Sequence, residues 1–162
     1  MRRGWILAMA AAVLATGGSL PARAGSFGLG AGLALPTGDF GDAVDLGYGL
    51  HAMVKHPVAP LVTLTGDAGW TRFSTSDEFL VGEGLGGWLG ADDTVDVWNV
   101  TGGARVALMP MNLGLEFGYF SELEEWSLVP NLGFGFSKLA LDLRYKATGD
   151  AKWFEVRAGM YF

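Results

Sequence analysis

The sequence contains no cysteine, so neither a disulfide framework nor a lipoprotein anchor is available. It has eleven Lys and Arg against seventeen Asp and Glu, which argues against nucleic-acid binding, because that depends on clustered cations facing phosphates. After the apolar run near its N-terminus the chain has no second long apolar run, which excludes a helical membrane protein. The chain is therefore acidic, and its hydrophobic residues, half of the total, must be accommodated by something other than membrane-spanning helices.

The N-terminal segment has the pattern of a secretory signal peptide. Arg2 and Arg3 precede an apolar run over residues 5–20, and small residues that suit cleavage follow it. We predict that residues 1–24 are the signal peptide and residues 25–162 are the mature domain. The alternative, a retained membrane anchor, is disfavoured because glycine, threonine and serine interrupt the run. Cleavage would remove three arginines and shift the formal net charge from -6 to -9.

The C-terminal segment alternates strictly between apolar and charged residues. Its apolar positions on one face are Phe154, Val156, Ala158, Met160 and Phe162. Glu155 and Arg157 lie on the other face, and the same alternation recurs in seven earlier segments. In a membrane barrel this pattern directs apolar side chains to lipid and small or polar ones to the lumen. The sequence therefore predicts an all-β fold, an eight-stranded antiparallel up-and-down transmembrane β-barrel.

The connections between these segments alternate in length, as they do in such barrels. The short connections are residues 57–60, 109–112 and 137–138, and the mostly longer ones are 37–45, 74–94, 121–126 and 148–151. A soluble β-barrel or sandwich is the competing interpretation, since it also alternates but turns its apolar face inward. Three features favour the membrane barrel. They are the signal peptide, the alternation of short and long connections, and a second strand face rich in glycine, threonine and charged residues.

Tryptophan and tyrosine fall near the loop ends of the predicted strands. Amphipathic rings prefer the boundary between lipid and water. We therefore predict an aromatic girdle composed of Tyr48, Trp70, Trp98, Tyr119, Trp126, Tyr145 and Trp153.

Charged residues of both signs are predicted to point into the lumen. They are His51, Lys55, Asp67, Arg105, Glu116, Asp142, Arg144, Glu155 and Arg157. The interior of an eight-stranded barrel is about wide enough for side chains to fill, so mutual pairing would make their burial tolerable. This favours a plugged lumen. A narrow ion path along the same charges stays open as the alternative, because glycines on the first two strands leave room.

The predicted external loops carry most of the acid. Their acidic residues are Asp39, Asp42, Asp45, Asp77, Glu78, Glu83, Asp92, Asp93, Glu122, Glu124 and Glu125. They either bind divalent cations that tie the loops to lipopolysaccharide phosphates, or simply keep the loops solvated. The first three match no calcium-loop spacing, which favours solvation. The 74–94 loop is expected to dock a partner or to fold over the barrel mouth.

Enzymatic activity receives little support from the sequence. A lipid-modifying serine hydrolase needs a histidine near its serine at the outer leaflet. His51 is predicted to point inward and His56 to lie beside a short turn, so neither suits that position. We predict no catalytic, cofactor or metal residues.

The terminal Phe162 and the first hairpin, which ends in residues 35–40, carry a family resemblance. The mature chain resembles the small eight-stranded outer-membrane barrels, the group of outer membrane protein X and the barrel of outer membrane protein A. The resemblance implies the outer membrane of a Gram-negative-type bacterium, contact with lipid and lipopolysaccharide, and recognition of the C-terminal strand by the insertion machinery. The resemblance implies little about activity; from the residues we predict a structural or surface-interaction function, with a narrow porin-like channel as the alternative and a lipid-modifying enzyme as the least favoured. We expect no peptidoglycan-binding domain after the barrel.

Overall fold

The computed structural model describes residues 25–75, 94–121 and 123–162. The predicted signal peptide, most of the 74–94 loop and Glu122 lie outside the described residues. Within the described ranges, no helix combines the length and apolar character that crossing a membrane demands.

The described residues form eight strands and a short helix, α1. The bounds are β1 Ser26–Thr37, α1 Asp39–Ala43, β2 Gly47–Ala59, β3 Val62–Ser74, β4 Thr94–Leu108, β5 Met111–Phe120, β6 Glu125–Phe136, β7 Leu139–Thr148 and β8 Ala151–Tyr161. Each strand pairs with its sequence neighbour, and β1 pairs antiparallel with β8 from Gly28 opposite Tyr161 to Thr37 opposite Lys152. The predicted eight-stranded up-and-down barrel is confirmed.

The two ends of the barrel differ in their connections. One end, which we call the turn end, carries the first and last described residues, Gly25 and Phe162. It also carries the connections at residues 60–61, 109–110 and 137–138. The loop end carries α1 and the other connections. One of these is shorter than the sequence suggested, because Gly149 and Asp150 alone join β7 to β8. Gly149 has a φ of 54°, a conformation that glycine adopts at no steric cost in a tight turn.

Alternation along the strands separates an apolar outside from a polar inside. Outward residues such as Leu50 and Leu128 remain 60% and 56% exposed, whereas inward Asp67 and Arg144 are 4% and 0% exposed. A soluble barrel would show the opposite arrangement. An apolar exterior around a polar interior is the arrangement of a barrel that faces lipid.

Interior glycines give space to long side chains from other strands. A methyl group added at Gly28 would lie 2.8 Å from Cδ1 of Tyr161, and one added at Gly114 would lie 2.6 Å from Cγ of Arg105. The room that these glycines leave is therefore filled by side chains. Packing, rather than backbone freedom, explains why the inner face is rich in glycine.

We expect Gly114→Val to destabilise the folded barrel by about 1–3 kcal/mol, because its side chain would collide with Arg105 and Asn131 in a filled interior. Gly102→Val is the matched control, since Gly102 is exposed and an added methyl there lies 3.8 Å from its nearest neighbour. Urea unfolding in lipid vesicles measures both variants. Equal losses of stability would contradict the filled interior.

Candidate functional site in the barrel lumen

Six charged side chains meet inside the barrel from five strands. Strand alternation directs each of them inward, and all are buried. We call them the charged ring, which consists of Asp67 from β3, Arg105 from β4, Glu116 from β5, Asp142 and Arg144 from β7, and Arg157 from β8.

Two arginines bridge three carboxylates along one side of the charged ring. Arg105 donates from Nη1 to Oδ1 of Asp142 at 2.6 Å and from Nη2 to Oε1 of Glu116 at 3.1 Å. Arg144 donates from Nη2 to Oε2 of Glu116 at 2.5 Å and from Nη1 to Oδ1 of Asp67 at 3.0 Å. Glu116 is therefore held between two guanidinium groups.

Arg157 closes the charged ring on the opposite side. Its Nη2 donates to Oδ2 of Asp142 at 2.7 Å, and its Nη1 donates to Oδ2 of Asp67. Acid and base now alternate around a complete circuit of six groups. Charge-assisted hydrogen bonds of this kind are among the strongest in proteins, so the circuit holds five strands together across the lumen.

A second group of polar side chains extends the charged ring toward the loop end. Lys146 donates to Oε2 of Glu155 at 2.5 Å, and Oε1 of Glu155 lies 3.5 Å from both Arg144 Nη1 and His51 Nε2. His51 Nδ1 lies 3.2 Å from Oδ1 of Asp67. Within the described residues, these groups and the charged ring together contain four carboxylates, three arginines and one lysine. Their formal charges balance if His51 is neutral.

Neutral polar side chains occupy positions around the carboxylates that ion pairing leaves open. Thr101 and Thr65 donate to the two oxygens of Glu116 at 2.8 Å and 3.2 Å. Asn99 donates from Nδ2 to Oδ1 of Asp67 at 3.0 Å. Buried charges are tolerated where partners and further hydrogen bonds satisfy them, and both conditions hold for the carboxylates of Glu116 and Asp67, whereas Nε of each of the three arginines has no hydrogen-bond partner among the described residues.

Two residues show where the sequence-based network was inaccurate. Lys55 faces inward but is half-buried near the turn end, with its Nζ 3.8 Å from the centre of the Tyr161 ring. It forms no ion pair with the described part of the chain, and its closest recorded partner is the Tyr161 ring. Lys146 was left out of the predicted network, although it has the same strand parity as Arg144 and pairs with Glu155.

An apolar layer packs inside the barrel at the loop end of the lumen. We call it the aromatic seal, formed by Phe40 of α1 with Phe73, Phe120 and Trp153 of the strands. The ring centre of Trp153 lies 5.9 Å from Phe40, 5.7 Å from Phe73 and 5.7 Å from Phe120. The ammonium of Lys146 lies 5.6 Å from the Trp153 ring. The aromatic seal therefore sits directly on the polar network.

The position of Trp153 corrects the predicted girdle. Trp153 is fully buried inside the barrel, whereas the prediction placed it at the lipid boundary. Its strand parity explains this, because Trp153 shares the inward face with Glu155 and Arg157 while Phe154 points outward. The closeness of Trp153 to the end of its strand suggests a girdle position. Which face of the strand a side chain takes, however, is set by the two-residue period of the strand.

The remaining aromatic residues of the predicted girdle point outward. They are Tyr48, Trp70, Trp98, Tyr119, Trp126 and Tyr145. The Trp70 ring lies 5.9 Å from Tyr48 and 6.3 Å from Trp98. One step nearer the loop end, Arg72 Nη2 pairs with Asp96 Oδ2 at 2.6 Å on the outer surface. A polar boundary therefore follows the aromatic residues on this side.

The structure also locates the predicted insertion signal and the described loop acids. Phe154, Val156, Ala158 and Met160 point outward, and Phe162 is exposed at the turn end. Asp39, Asp42 and Asp45 are exposed on the first loop. Asp77, Glu78, Glu83, Asp92, Asp93 and Glu122 lie outside the described residues. Across the part of the chain that the structure describes, no three His, Asp or Glu side chains are placed to hold a metal ion.

We expect Arg144→Leu to destabilise the barrel by about 3–5 kcal/mol, because it removes one of the two cations that neutralise buried Glu116 and Asp67 and leaves an excess of buried negative charge. Arg72→Leu is the control, since its exposed ion pair with Asp96 should contribute little. Both are measured by urea unfolding in vesicles. A loss from Arg144→Leu no larger than that from Arg72→Leu would contradict the importance of the charged ring.

Trp153→Ala should cost about 3–5 kcal/mol of unfolding free energy, because it opens a cavity in the aromatic seal. Trp126→Ala removes the same group from the outer surface, where the side chain is 57% exposed, and should cost clearly less. The stabilities of the two variants are compared by a method that does not depend on tryptophan fluorescence. One such method is the gel mobility of boiled and unboiled samples across a urea series. A larger loss of stability from Trp126→Ala than from Trp153→Ala would contradict the buried position of Trp153 and support its place in the girdle.

Comparison with known proteins supports the fold and stops there. No protein-family model and no curated protein matches the sequence. Among solved structures, the chain is similar to one described as "De novo design of transmembrane beta-barrels", with 12% identity, a TM-score of 0.51, and coverage of 88% of this chain and 100% of that one.

Two natural proteins show weaker similarity. The Yersinia pestis outer membrane protein Ail has 17% identity, a TM-score of 0.49, and coverage of 86% of this chain and 100% of its own. Neisserial surface protein A has 13% identity, a TM-score of 0.46, and coverage of 85% and 95%. The likeness to the designed structure, together with the observed topology, shows that this chain has the fold of an eight-stranded transmembrane β-barrel.

Proposed function

We propose that the protein is a closed, non-conducting β-barrel of the outer membrane of a Gram-negative-type bacterium. Its function is structural or one of surface interaction through the loop end, without enzymatic activity. The observation that supports this proposal best is the complete circuit of the charged ring, which crosses the lumen from β3 to β7 and β8.

The charged ring opposes ion passage by occupying the cross-section of the barrel. An eight-stranded barrel has an interior about wide enough for side chains alone. A passing ion would have to separate Arg144 from Glu116, or Arg157 from Asp142, within an interior that these side chains occupy. Breaking such a buried pair costs several kcal/mol. The lumen is therefore better suited to holding the strands together than to conducting.

The aromatic seal adds a second obstacle of different chemistry. Phe73, Phe120 and Trp153 are fully buried within the mouth of the barrel, and Phe40 of α1 packs against two of them. Transfer of an ion from water into apolar surroundings is strongly unfavourable. Solutes from the loop side would meet this layer before they reach the charges.

The loop end offers a fixed surface for interaction. Phe40 anchors α1 to the aromatic seal, Val44 forms a bridge with Thr75, and Asp45 N donates to Ser74 O at 2.8 Å. These contacts attach the first loop to the start of the 74–94 connection, with acidic side chains facing outward. Our proposal includes lipid and lipopolysaccharide around the wall and the insertion machinery at the C-terminal strand as partners, with divalent cations at the acidic loops as the less favoured addition.

Single-channel recording in planar bilayers tests the closed lumen. We expect the folded wild-type protein, identified by its gel mobility shift on boiling, to give no current steps. The combined variant Glu116→Ala, Arg144→Ala, Trp153→Ala should conduct if it folds, because it removes parts of both obstacles. Arg72→Ala, on the outer surface, is the silent control.

Reproducible ion-selective steps from the wild type that change with Arg105→Ala or Glu116→Ala would contradict the proposal. They would establish the narrow channel that the sequence left as the alternative.

A further inference from the structure

Two of the three turns at the turn end of the barrel are apolar to their tips, and the third consists of the polar residues Ser137 and Lys138. Residues 57–62 and 106–111, which contain the β2–β3 and β4–β5 turns, include no charged side chain. Leu61 is 55% exposed and Met109 is 87% exposed. The first loop at the opposite end instead exposes three aspartates. A turn that is exposed to water normally carries polar residues.

These turns continue the lipid-facing wall without a break. We call Val58, Leu61, Leu108 and Met109 the apolar rim, and all four are at least half exposed. The two turns are neighbours, because Ala107 N donates to Leu61 O at 2.8 Å. The apolar rim is therefore one surface, and it extends the outward apolar face of β3 and β4.

The depth of the apolar rim follows from its distance to the outward aromatic residues. Leu61 lies nine residues from Trp70 along the chain, and Met109 lies eleven from Trp98. With a rise of about 3.4 Å per residue and a strand tilt of about 35–45°, these separations span roughly 22–25 Å and 26–31 Å across the membrane. The apolar band of such barrels is about 25 Å tall. Leu61 thus falls within the band, whereas Met109 falls roughly 1–6 Å beyond it, at the level of the glycerol groups.

We propose that the apolar rim is a lipid-binding surface immersed in the leaflet at the turn end. It contacts the acyl chains and glycerol groups of that leaflet, and its tips do not project into water. Continuity with the lipid-facing wall selects lipid as the occupant over a second copy of the chain or another protein. The inference rests on the transmembrane fold alone and is independent of the closed lumen.

Single-cysteine variants test the proposal directly, because the chain has no cysteine of its own. Met109→Cys, Leu61→Cys and Asp150→Cys are each labelled with bimane while unfolded, then refolded into phosphatidylcholine vesicles. Asp150 is the matched control, since it lies in a two-residue turn at the loop end. The readout is quenching by phosphatidylcholine brominated on its acyl chains, which acts whichever way the barrel is inserted.

We expect the label at position 61 to lose most of its emission, the label at 109 to lose less, and the label at 150 to lose the least. Weak quenching of both rim labels in samples with a folded gel mobility would overturn the proposal. Quenching that appears only when protein is diluted in lipid would also overturn it, because a second copy would then cover the apolar rim. If one rim variant fails to fold, the other decides.

Discussion

The mutual neutralisation of charges inside a closed wall is the interaction on which this structure depends. Isolated charges in a barrel of this diameter would be costly to bury, and the charged ring offsets that cost by pairing each charge with two of opposite sign. Asp67 meets Arg144 and Arg157 across the lumen, which requires β3 to face β7 and β8. Closure of the sheet and completion of the charged ring are therefore linked.

The same constraint explains the composition of the inner face. Long arginine side chains need space, and glycines such as Gly114 supply it where a methyl group would collide with them. At the loop end the charges stop at Lys146, and the aromatic seal takes over the filling of the lumen. Outside, the apolar wall meets a solvent with no hydrogen-bonding capacity, so only a closed sheet leaves no backbone group unpaired.

Sequence periodicity was sufficient for the fold, because a period of two determines which face each residue takes. It could not assign partners, since Arg144 on β7 reaches Asp67 on β3 and no pairing of adjacent strands reveals that contact. The girdle prediction was wrong for Trp153, because its closeness to a strand end suggests the lipid boundary whereas its parity places it inside the barrel. Lys146 had the correct parity, but its ion pair with Glu155 follows only from the folded geometry.

A double-mutant cycle across the lumen tests the charged ring most directly. Asp67→Asn, Arg157→Met and the combined variant are compared with the wild type by urea unfolding in vesicles, with the exposed pair Arg72 and Asp96 as reference. The closed circuit predicts a coupling energy of at least about 1 kcal/mol between Asp67 and Arg157, as for groups in direct contact within a network. A coupling energy near zero, with each single variant as stable as the wild type, would contradict it.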